Sequence, residues 1–209
     1  MKYSLKINSQ QFINGLKNTL RTHLNSAIHL AVIDIKRDLQ LLIQNLLVAS
    51  PEYQSILSGL LKSEFDLKNS QEVLNEILIT LQRSILITTE PVRFDGIGLK
   101  ASINVSIIKS DFSDLLALSG TSYESKNGQV RWLEWLLTRG DSIIILNTTI
   151  DYNLKSNSTK FTSGKGWRVP PEFAGTITSN WITRTFDINK VQKLVFDIMA
   201  KALQHNLGG

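Results

Sequence analysis

The 209-residue sequence has no cysteine, only three histidines and only four prolines. Without cysteine, disulfides, thiolate metal sites and cysteine nucleophiles are excluded. His23, His29 and His205 stand apart from Asp and Glu in any metal-ligand spacing, so no metal is expected. The stretch "TSGKGWR" lacks the four-residue spacer and the closing Ser or Thr of a P-loop; it is no nucleotide cradle, and no cofactor is expected. Apolar runs such as Ile143 to Leu146 fall far short of the roughly 20 residues needed to span a bilayer. Met1 is not followed by a basic segment and an apolar core of the secretory kind. A soluble chain made in the cytoplasm, with no membrane partner, is the expectation, and three Asn-x-Ser/Thr sequons are read as chance.

Apolar residues make up 42% of the chain, enough for a real core. The net charge of +5 is unevenly spread. Residues 1–50 carry six basic side chains against two acidic ones, and residues 155–209 carry eight against three, which leaves the middle net −4. Basic ends around an acidic middle suit a surface presented to a polyanion, or copies that pair basic regions with acidic ones. No cluster is as dense as a dedicated nucleic-acid arm, so solvated surface charge is the plainer reading.

The N-terminal part, residues 1–90, reads as helical. Asn8 is a candidate cap with Gln11 three residues on, and Leu16, Leu20, Leu24, Ala27, Ala31, Ile35, Leu39, Leu42 and Leu46 form one apolar stripe. Ser50 followed by Pro51 restarts a helix. Asn69 and Glu72 stand in capping-box spacing ahead of Val73, Ile77, Leu81 and Ile85.

Residues 91–209 read as an α+β part that makes one compact unit with those helices. Leu99, Ala101, Ile103, Val105 and Ile107 alternate with polar residues as a strand, and Asp95-Gly96 turns a hairpin back onto "PVRF". A short helix buries Leu133, Leu136 and Leu137 and stops at Gly140. "SIIILNTTIDY" reads as a strand and "NLKSNSTKFTSGKG" as a polar loop. A final helix from about Asp187 sets Val191, Leu194, Val195, Ile198 and Ala202 in register. The expected fold class is thus α+β: long N-terminal helices, a small, mostly antiparallel sheet, and a C-terminal helix packed on it.

Chemistry is sparse. Glu52 with Asp66-x-Lys68 resembles a nuclease metal triad, but such a triad needs its last acid and its lysine on a strand, whereas these two lie between helices. Trp132 and Trp135, three apart on a helix, read as packing. The stretch "GWRVPPEFAGTITSNWITRTFD" combines two prolines, which hold the chain extended, with large apolar side chains that lose little entropy on docking. It reads as a docking element, not an active site.

These same residues carry a resemblance. "WRVPPEFAGTITSNWITRTFD", "WLEWLLTRGDSIII" and "SPEYQSILSGLLKSEFDL" are similar to blocks of small virion proteins of tailed bacteriophages, of the neck, tail-completion or tail-terminator type. The resemblance covers roughly residues 50–187 in scattered blocks. It implies a non-enzymatic structural protein, an α+β subunit that assembles with itself as a ring around the DNA channel of the head-to-tail connector. The implied partners are copies of itself, neighbouring portal, connector or tail proteins, and the passing phage DNA; the implied location is the virion neck, after synthesis in the host cytoplasm. No catalytic residue is carried over. Candidate interaction residues are Lys155, Lys160 and Lys165 in the polar loop, and Trp167, Arg168, Phe173, Trp181 and Arg184 in the aromatic segment. A nucleic-acid-binding accessory protein is the alternative, resting on the basic ends, and a nuclease-like enzyme the remoter one.

Overall fold

A computed structural model of the chain describes residues 8–95, 98–107, 112–125, 128–140, 149–153, 158–162 and 169–208. The fold is α+β, with a long first helix, antiparallel two-stranded ladders and a C-terminal helix. Compactness does not divide the chain near residue 90. One unit comprises Met1–Leu39, Ile85–Ser106 and Lys193–Gly209; the other comprises Gln40–Ser84 and Ile107–Gln192. The hairpin that follows the helices groups with the first helix, which a boundary drawn from composition could not anticipate.

In the first unit, α1 (Ser9–Val48) begins at Asn8, whose Oδ1 accepts the N–H groups of Gln10 and Gln11 at 3.1 and 3.2 Å. Its buried residues are Ala27, Ala31, Ile35 and Leu39, and then, further along the same helix, Ile43 and Leu47. Successive steps of four turn the stripe by about 40° each, so it passes beside the expected Leu42 and Leu46, which are only half-buried. Leu16 and Leu20, expected in the stripe, are exposed.

Strands β1 (Leu86–Asp95) and β2 (Gly98–Ser106) form the expected hairpin, with Asp95 opposite Gly98. Between Glu90 and Arg93 the register slips by one residue. This bulge surrounds Pro91, which has no N–H to give the ladder, and it frees the Val92 N–H to donate to Asn25 Oδ1 on α1 at 2.9 Å. Val92 is buried, whereas Leu99 and Ala101 at the far end of the hairpin are exposed, so only part of the alternating face of β2 is covered. The last residues of α8 (Ile188–Leu207) join α1 through Asn206, whose amide donates to Asp34 Oδ2 at 2.9 Å.

The second unit is built from short helices. In α2 (Pro51–Ser58), Ser50 caps and Pro51 occupies the first turn, as expected. α3 (Leu60–Glu64) follows directly, and α4 (Ser70–Arg83) buries Val73, Leu74, Ile77 and Leu81. Asn69 makes no side-chain cap bond there, against expectation. After α5 (Ser113–Leu116), a 3₁₀ turn over Ser119–Thr121 and the small β3–β4 ladder (Tyr123–Ser125 with Gly128–Val130) lead into α6 (Trp132–Leu137). Trp132 packs against Phe65, ring centres 5.9 Å apart, and its Nε1–H donates to Gly120 O at 2.9 Å. Gly120 allows that approach, because a Cβ there would run into the Val73 side chain.

Strands β5 (Thr149–Asn153) and β6 (Ser158–Thr162) pair antiparallel, so part of the segment expected as a polar loop is the second strand of a hairpin. Thr159, Phe161 and Thr162 suit a strand; the many Ser and Thr around them hid that. The rest of that segment lies outside the described residues. Among the described residues, no helix is long and apolar enough to cross a membrane.

Candidate interaction site

The three sequence blocks that begin at Ser50, Trp132 and Trp167 meet in the second unit through the short helix α7 (Trp181–Thr185). Ser50 is the junction. Its hydroxyl donates to Leu47 O at 2.6 Å and accepts both the Tyr53 N–H at 3.3 Å and the Trp181 Nε1–H at 2.8 Å. One donor and two lone pairs are thereby all used, between residues 131 positions apart. Trp181 is fully buried.

One turn further on, Arg184 Nη2 lies 2.7 Å from Glu52 Oε1, and its Nη1 donates to Ala174 O at 3.2 Å. The Glu52 side chain is 6% exposed, the Arg184 side chain 36%. A buried carboxylate needs such a charged donor, and the fork of the guanidinium lets one residue answer the carboxylate and the backbone together. Asn180, fully buried, caps α7: its Oδ1 accepts the Thr183 N–H at 3.0 Å, Thr183 Oγ1 accepts the Asn180 N–H at 2.8 Å, and its amide donates to Thr176 O at 2.8 Å.

The α6 block closes onto the same loop. The Gly175 N–H donates to Trp135 O at 3.0 Å, and the Gly140 N–H donates to Gly175 O at 2.6 Å. Any Cβ at Gly175 would collide with the Leu136 carbonyl, so the loop needs glycine there. Gly140 has φ of 62°, which fits its place just past the end of α6. Glu134 ties α6 down further, with Arg131 Nη1 at 2.9 Å and Arg139 Nε at 2.8 Å.

Among the described residues, cavities open on this unit at two places. One of about 470 Å³ is lined by Leu46, Pro51, Glu52, Glu172, Phe173 and Arg184; it is largely apolar, with the Glu52–Arg184 pair on its wall. The other, of about 420 Å³, is lined by Asp66, Lys68, Glu72, Val73, Glu76 and Gly120. Asp66 has φ of 48°, uncommon outside glycine and tolerated by the short polar Asp side chain. Glu52 thus lines a different cavity from Asp66 and Lys68. Among the described residues, no group of three or more His, Asp or Glu is placed to hold a metal ion.

The candidate interaction residues fall into three groups. Trp181 is corrected from docking element to core: it faces Ser50 and the interior of its own unit. Arg184 is engaged by Glu52, and Phe173, partly exposed, lines the larger cavity beside it. Lys160 lies on β6 opposite Asp151 in the ladder. Lys155, Lys165, Trp167 and Arg168 lie outside the described residues. Sequence reading missed Asn180 and the tie from Ser50 and Glu52 to α7; Asn180-x-x-Thr183 has cap spacing and was the available signal. Compared with known proteins, the chain matches no family model, no characterised relative and no solved structure.

Proposed function

We propose that the chain is a structural virion protein of a tailed bacteriophage, a subunit of a ring in the neck or head-to-tail connector around the DNA channel. The observation that carries this reading is the meeting of the three phage-like blocks in one hydrogen-bonded cluster, Ser50 with Trp181, Glu52 with Arg184 and Gly175 with Trp135. The three blocks serve one structural purpose, a stiff subunit core. Among the described residues, Phe173 with the 470 Å³ cavity is surface open to partners; the sequence adds the basic charge of Lys155, Lys160 and Lys165.

In this reading the lysines bias the channel or face a neighbouring protein without gripping DNA, since tight phosphate contacts would retard a strand that has to pass. Copies meet through heterologous contacts, which close into a ring when the rotation allows. The test is to purify particles of the phage that encodes the chain, with a tag on the protein, and locate the tag by electron microscopy. Density between head and tail in full particles is expected. Absence of the protein from washed particles, or its presence only with free DNA in the lysate, would favour the accessory DNA-binding alternative.

A further inference from the structure

Every residue of α1 from Ser9 to His23 is exposed, about 22 Å of helix. That length includes Phe12 (63% exposed), Ile13 (43%), Leu16 (59%) and Leu20 (42%). They lie on the side of the helix that becomes the buried stripe at Ala27 and Ala31. Together they leave roughly 350 Å² of apolar surface in water, as large as the biggest patch on a typical monomer.

The charge of this arm narrows what covers it. No carboxylate precedes Asp34, and Lys17 and Arg21 run along one flank of the apolar face. Two arms laid on each other would set like charges together. Helix α4 has the complementary face: Glu72, Glu76 and Ile79 are exposed along one line, Ile79 by 45%. Neither glutamate has an ion-pair partner among the described residues. Lys17 to Arg21 and Glu72 to Glu76 are both steps of four, about 6 Å along their helices. Laid antiparallel, Arg21 meets Glu72, Lys17 meets Glu76, and Ile13 comes beside Ile79. In the parallel sense Ile79 would meet Leu24, which is already half-buried.

We propose that the α1 arm of one copy docks antiparallel on the α4 face of a second copy of this chain. The contact is heterologous, each subunit giving its arm to one neighbour and its α4 to another. It names an interface of the ring and rests on that reading for closure. A single contact buries roughly 700 Å² over both partners, below what holds a stable dimer, so a closed ring with two contacts per subunit is where it counts.

Because the chain has no cysteine, Leu16→Cys and Ile79→Cys each give a chain with a single thiol. The two variants are mixed at high concentration and treated with a short bismaleimide. The heterodimer joined through positions 16 and 79 should exceed either homodimer at least about tenfold. Glu72→Lys with Glu76→Lys in the position-79 chain should cut that yield about tenfold, and Lys17→Glu with Arg21→Glu in the position-16 chain should restore it. No cross-link, a dominant homodimer through position 16, or a yield indifferent to charge reversal overturns the proposal. A chain that cross-links as expected but is absent from purified particles sinks the connector reading and leaves this contact standing. A neck ring whose positions 16 and 79 do not cross-link does the reverse.

Discussion

The first four turns of α1 and the cluster around Trp181 are both rich in large apolar side chains, yet they end in opposite environments. Leu16 and Phe12 are more than half exposed, while Trp181 and Trp132 are fully buried. The polar groups beside them account for the difference. Around Trp181 each one is answered from within the chain: the indole N–H by Ser50, the guanidinium by Glu52 and Ala174 O, the Asn180 amide by Thr176 O. On the arm, Arg21 has no ion-pair partner among the described residues, and Lys17 only rests over the Phe94 ring at 5.4 Å. Hydrophobicity says that a surface wants cover; the matching of its polar neighbours says whether the cover is the chain's own.

Substitutions in the two regions sharpen this contrast, the largest effect first. Trp181→Ala should destabilise the chain by about 3–5 kcal/mol in urea unfolding, since it empties a core site and takes one donor from the Ser50 hydroxyl. A loss below about 1 kcal/mol would mean that the site collapses without cost and is no core. Arg184→Met should cost about 3 kcal/mol by leaving the Glu52 carboxylate buried and unpaired. Glu52→Gln in the same chain should recover part of that loss, and no recovery would remove the ion pair as its cause. Ser50→Ala should cost about 2 kcal/mol, through a lost helix cap and an unanswered indole N–H. Leu16→Ser, on the arm, should shift stability by no more than about 0.5 kcal/mol. A cost like that at Trp181 would show that the arm is covered within the same molecule.

Much of this was legible in the sequence because the signals are local. Ser50-Pro51, the Val73/Ile77/Leu81 face, the pairing of two strands across the short stretch from Asp95 to Gly98, and the glycine after α6 depend only on neighbours a few residues away. Three things were not legible. The buried stripe of α1 winds from Ala27 to Leu47, and which leucines it includes depends on what packs there. The strand Ser158–Thr162 has four polar residues out of five, so composition marked it as loop. The partners of Trp181 and Arg184 lie more than 130 residues away, and a segment rich in tryptophan and proline looks the same whether it docks on another protein or on its own.

The most direct test of a connector role is complementation. In the proposed reading the gene belongs to a tailed phage; it would be disrupted there, the wild-type chain supplied or withheld, and particles counted by electron microscopy. Without the chain, DNA-filled heads and finished tails should accumulate separately, with joined particles lost and restored when the chain is supplied. Normal numbers of tailed, DNA-filled, infectious particles in its absence would contradict the connector role outright.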